Sequence, residues 1–95
     1  MRATFHREAE AELITAARDL DAKARLGHAF LAEYEKWEGQ IRRFPLACPE
    51  IAPSIRCGYL KRFKYHVTYR VLPGTIRILY VRSARQEPLK HFRRR

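Results

Sequence analysis

Hydrophobic positions recur along this chain with two different periods, and the change between them falls near residue 50. From Arg7 to Leu20, the residues Ala9, Leu13, Ala16, Ala17 and Leu20 recur at helical steps of three and four, which predicts an amphipathic α-helix. Glu8 and Glu10 in its first turn suit the positive end of a helix dipole. Asp19 and Asp21 bracket a break, and a second, longer helix follows through Leu26, Phe30, Tyr34, Trp37, Ile41 and Phe44. Pro45 ends it, because proline has no N–H for the ladder, and Pro49 and Pro53 predict an irregular link beyond. With few residues between them, the two helices should form an antiparallel hairpin, with Gly27 at a close helix contact.

Beyond Ile55 the period is two. In Phe63-Lys64-Tyr65-His66-Val67-Thr68-Tyr69-Arg70-Val71 the odd positions are apolar or aromatic and the even ones polar, the pattern of a strand buried on one side. Pro73-Gly74 is a turn signal and Ile76 to Val81 reads as the next, central strand. Ile55 to Leu60 is a weaker strand candidate, and Arg2 to Phe5 a short one at the start. The expected class is α+β: an N-terminal two-helix hairpin packed on a three- to four-stranded antiparallel sheet, in one domain spanning residues 1–95.

Charge sharpens this division. Residues 1–50 hold eight Lys/Arg against nine Asp/Glu, whereas residues 51–95 hold twelve Lys/Arg against Glu87 alone. Net charges of −1 and +11 make up the total of +10. Such one-sided loading points to a negative partner, either a polyanion or an acidic protein, for the second half. The chain has no apolar run long enough to span a membrane and no signal-peptide core near its start, so a cytoplasmic protein without membrane association is expected. Cys48 and Cys57 do not make a disulfide framework and no zinc-ligand spacing occurs; no cofactor, metal or small-molecule substrate is expected.

Strand alternation places Arg62, Lys64, His66, Thr68 and Arg70 in one row opposite the buried aromatics. Arg56, Arg77, Arg82 and Arg93 are further candidates for contacting a target or a nucleic acid, their facing dependent on register. Cleavage of RNA through its 2′-hydroxyl needs a base, an acid and cations for the phosphorane charge. His66, Arg70, Arg85 and His91 are the candidates for those catalytic roles, if the chain is a ribonuclease. The tail from Pro88 to Arg95 reads equally well as a loose basic extension.

Several of these segments together resemble the RelE/ParE superfamily of toxins from bacterial type II toxin–antitoxin modules. They are Ala9-Glu10-Ala11-Glu12-Leu13, Leu26-Gly27 with Phe30, Phe44-Pro45, Ile55-Arg56, Leu60 to Val71, Ile76 to Val81, and Arg85-Gln86-Glu87-Pro88. The resemblance implies a growth-inhibiting toxin neutralised by a cognate acidic antitoxin. ParE-like members act on DNA gyrase, whereas RelE-like members cleave ribosome-bound messenger RNA as metal-independent endoribonucleases. The helix hairpin and the Arg62-Phe63-Lys64-Tyr65 segment look more ParE-like, with Lys64 where that branch commonly has proline. RelE-like members often carry arginine at the position of His66, and their catalytic aromatic residue near the end corresponds to His91 or Phe92. The expectation is therefore a ParE-like gyrase-binding toxin, with a RelE-like mRNA interferase as the alternative.

Overall fold

All 95 residues, Met1–Arg95, are described in a computed structural model of the chain. The elements run β1 (Arg2–Phe5), α1 (Arg7–Ala24), α2 (Gly27–Arg43), β2 (Glu50–Ala52), β3 (Ile55–Leu60), β4 (Tyr65–Leu72) and β5 (Thr75–Ser83). The strands form one sheet in the order β1-β5-β4-β3-β2. Two helices on a sheet is the α+β class that the two periods predict, with five strands rather than three or four. β1 enters as a parallel neighbour of β5, and all other pairs are antiparallel. β2 is a three-residue edge strand between Pro49 and Pro53, in the link expected to be irregular.

His6 caps α1, its Nδ1 accepting the Glu8 amide at 3.1 Å and satisfying one otherwise orphaned first-turn donor. The helix runs through Asp19 and Asp21 to Ala24, past the expected break. It ends where Arg25 takes a left-handed backbone (φ 56) and its amide returns to the Asp21 carbonyl. A Cβ on Gly27 would stand 2.7 Å from the Ala17 carbonyl oxygen, so the absent side chain is what lets α2 start tight against α1.

The predicted helix stripes are the core: Ala9, Leu13, Ala16 and Ala17 from α1 and Phe30, Tyr34, Trp37 and Ile41 from α2. They pack on Leu60, Val67, Tyr69, Ile76, Ile78 and Val81 of the sheet. The Trp37 indole packs against Gly58, where a Cβ would come within 2.4 Å of its nitrogen. The Tyr69 hydroxyl donates to the Pro45 carbonyl oxygen at 2.7 Å and ties the end of α2 to the central strand. Phe44, expected in the helix stripe, lies beyond the last helical turn and is exposed.

Two irregularities set the facing of the sheet. Lys61 to Lys64 form a turn rather than a strand, and Lys64 has a left-handed backbone (φ 58), so β4 begins at Tyr65. Between β4 and β5, Thr68 pairs with Tyr80 but Tyr69 pairs with Ile78, which leaves Leu79 as an extra residue. This bulge turns both Leu79 and Tyr80 away from the helices, to form a second small cluster with Ile55.

Candidate functional site on the outer sheet face

The sheet face turned away from the helices carries the cations. β4 contributes His66 and Arg70, and β5 contributes Arg77 and Arg82. Register places Tyr59, His66 and Arg82 in one rung across β3, β4 and β5, Cys57, Thr68 and Tyr80 in the next, and Ile55, Arg70 and Arg77 in a third. No acidic residue occurs in β1, β3, β4 or β5. Glu50 of β2, the sheet's one acid, is 3.9 Å from Arg56 on the other side.

The tail is not loose. Leu89 and Phe92 pack on the Ile55, Leu79 and Tyr80 cluster, and the amides of Arg93 and Arg94 donate to the Tyr80 hydroxyl at 3.1 and 3.2 Å. Arg94 then crosses the free edge of β5, beyond the end of β1. Its guanidinium makes a two-pronged bond to Glu12 of α1 (2.7 and 3.1 Å) and also donates to the Leu79 carbonyl oxygen at 2.9 Å. The same Glu12 carboxylate accepts the Val81 amide at 3.0 Å. One side-chain pair thus satisfies a backbone donor and a backbone acceptor on the unpaired edge, which would otherwise be open to pairing with another chain. Burial alone would depress the Arg94 pKa, but the hydrogen bond and charge of Glu12, with Glu8 beside it, raise it instead.

Between this strap and the sheet lies a cleft of about 210 Å³, lined by Cys57, His66, Thr68, Arg82, Leu89 and Phe92 among others. The His66 ring is tilted over Tyr59 with centroids 4.9 Å apart, and its Nδ1 is 3.7 Å from the Cys57 sulfur. Burial pushes the Cys57 thiol up, only partly countered by the Thr68 hydroxyl at 3.9 Å, so this sulfur stays protonated near neutrality. Arg82, in the lining of the cleft, donates to the carbonyl oxygen of Glu87, another lining residue, at 3.0 Å.

The structure redistributes the sequence candidates. His66, Arg70, Arg77 and Arg82 share the outer face. Arg56 has the opposite parity and donates to the Leu46 and Cys48 carbonyl oxygens at 3.2 and 2.7 Å, holding the helix–sheet link. Arg62 leaves the row because it lies in the 61–64 turn, stacked over Phe63, whose ring meets Phe30 in the core. Lys64 leaves it for the same reason, its left-handed backbone being incompatible with a strand. Thr68 is on the expected face but buried.

Arg85 sits in the turn after β5, where its charge is felt at Tyr65 on the helix side. His91 and Arg93 are exposed on the strap, and no hydrogen bond or ring contact joins Arg85 or His91 to His66. Sequence reasoning passed over Tyr59, Cys57 and the Glu12–Arg94 clamp. The available signal for the strap was its two apolar residues, Leu89 and Phe92, in an otherwise basic run.

No protein-family model matches this chain, and no curated protein does. Among solved structures, a chain of the chromosomal ParDE toxin–antitoxin (TA) system from P. aeruginosa is similar, with a TM-score of 0.63 and 19% sequence identity. The match covers 87% of this chain and 95% of that one. At this identity the likeness is one of fold, and the fold is the one that the RelE/ParE resemblance implies.

Proposed function

We propose that this chain is the toxin of a type II toxin–antitoxin module, that it inhibits growth by ParE-like binding to DNA gyrase, and that a cognate acidic antitoxin neutralises it. The observation that carries the reading is the outer face: four cationic or titratable side chains in register, on strands without an acid, in a fold shared with a ParDE chain. A surface of this kind is built for a negative partner, because ordinary soluble surfaces intersperse both signs to limit repulsion. The exposed cations of the strap, Lys90, Arg93 and Arg95, extend it.

Binding is favoured over catalysis by the surroundings of His66. His66 has the Cys57 thiol and the Tyr59 ring beside it, and neither His91 nor Arg85 reaches it, so the acid, base and phosphate-stabilising candidates His66, Arg85 and His91 of the RelE-like reading do not converge on one site. The test is induced expression with parallel assays of DNA topology and message integrity. Inhibition of gyrase supercoiling by purified protein, weakened by Arg82→Gln together with Arg93→Gln and relieved by an acidic antitoxin, is the expected result. Cleaved messages that become intact in His66→Ala, with supercoiling untouched, would establish the ribonuclease instead.

A further inference from the structure

A different part of the outer face, outside the cleft, carries charge that the protein leaves unanswered. Arg70 and Arg77 are direct partners in the β4–β5 ladder, which sets their Cβ atoms roughly 4.5–5.5 Å apart. Like charges directly opposite one another destabilise a sheet, and no acid lies on these strands to relieve them. The Arg70 side chain makes no hydrogen bond or ion pair with the protein, and its Nε is buried without a partner. Arg77 has one, from Nη1 to the Thr4 hydroxyl at 3.2 Å on the neighbouring strand.

We propose that Arg70 and Arg77, with Thr4 beside them, form a binding site for the dianionic head of a phosphate monoester. Two arginines at directly paired positions bring two positive charges to one stretch of surface; a carboxylate brings one negative charge to it, whereas a phosphate monoester brings about 1.5 to 2 at pH 7 and three acceptor oxygens. The planar fork of arginine suits two-pronged contact with such a group. The terminal guanidinium nitrogens of Arg70, which bond to nothing in the protein, are the donors open to such a group, while its Nε is enclosed by the fold. Thr4 supplies a neutral hydroxyl and brings β1 into the site, so the parallel strand has a role beyond extending the sheet. This site does not depend on the toxin reading: a chain harmless to cells would still carry it.

The experiment is calorimetric titration with inorganic phosphate at constant ionic strength, with acetate as the singly charged control. Saturable phosphate binding with a stoichiometry of one, weakened about tenfold in Arg77→Gln, is expected, since that is the worth of one charge-assisted hydrogen bond. Arg18→Gln removes equal charge from the exposed side of α1 and should leave the affinity unchanged. Arg70→Lys keeps the charge at a position where Gln could unfold the sheet, and should also weaken binding because the fork is lost.

Equal affinity in Arg18→Gln and Arg77→Gln, or acetate binding as tightly as phosphate, would overturn the proposal. A 5′-phosphorylated dinucleotide binding more tightly than inorganic phosphate supports the site with a nucleic-acid end as its source; equal affinity supports it with free phosphate. An unphosphorylated dinucleotide competing as well as the phosphorylated one would defeat it.

Discussion

The two faces of the sheet are built from alternate residues of the same strands, yet they are stabilised in different ways. Toward the helices, Val67, Tyr69, Ile76 and Ile78 are fully buried beneath Phe30, Trp37 and Ile41, and the aromatic rings meet edge-on or tilted, as in Phe30–Phe63 and Trp37–Tyr69. On the outside, only Ile55, Leu79 and Tyr80 are buried apolar residues, covered by two side chains of the strap. One face consumes nearly all the apolar surface that folding requires. The other is thereby free to hold His66, Arg70, Arg77 and Arg82, which no stable core could accommodate without partners. Segregation by face, rather than by segment, is what lets a chain of net charge +10 fold and still present a cationic surface.

Mutations that cross this boundary are the way to test it. Phe30→Ala on the helix side should cost about 3–5 kcal/mol, a large share of a small domain's stability, and show as a lowered urea midpoint. Glu12→Ala attacks the seam between the faces, leaving the Val81 N–H without its acceptor and Arg94 with only the Leu79 carbonyl and the more distant Glu8 carboxylate. A loss of about 2 kcal/mol is expected, with faster hydrogen exchange at Val81 and tryptic cleavage of the strap before the rest of the chain. If the strap stays protected, the clamp is not what holds it.

Alkaline titration separates the faces more finely. Burial raises the pKa values of Tyr34, Tyr65 and Tyr69 on the helix side and of Cys57 on the outer side. For groups raised in the folded state, the stabilisation is complete below the unfolded pKa and is lost as pH climbs past it toward the folded value. Stability should therefore begin to fall near the ordinary thiol value of 9.0 and fall faster above the ordinary tyrosine value of 10.0. Cys57→Ser should remove only the first part of that decline, and alkylation of Cys57 should be slow at pH 8.

The smallest effect on folding belongs to the cations themselves. Arg82→Gln should change stability by no more than about 0.5 kcal/mol, while weakening binding to duplex DNA or another polyanion. If Arg82 contacts one phosphate, the log–log salt slope becomes shallower by roughly 0.9. A stability loss comparable to that of Phe30→Ala would show that the outer face belongs to the core after all.

Much of the helix side was legible from periodicity alone. The spacing from Ala9 to Ala17 and from Phe30 to Ile41 specifies two buried stripes, and Pro45 a stop, because those signals act within one or two turns of chain. Alternation from Tyr65 to Val71 likewise told which side chains of β4 face in. The outer face was legible in charge but not in membership. Arg62 and Lys64 matched the alternation, yet the chain turns there, and Arg56 fell on the wrong side because its facing depends on how β3 registers with β4.

What this sequence determined by itself was two helices, a half-buried strand and a surplus of positive charge in the second half, all of them properties of neighbours along the chain. What only the tertiary structure decided was which cations stand together. A single bulged residue, Leu79, turns Tyr80 outward, Tyr80 anchors the strap, and Arg94 reaches back to Glu12 across eighty-two positions of sequence. Such contacts carry no local signature, because each side chain is ordinary in its own segment and acquires its partner only when the sheet closes.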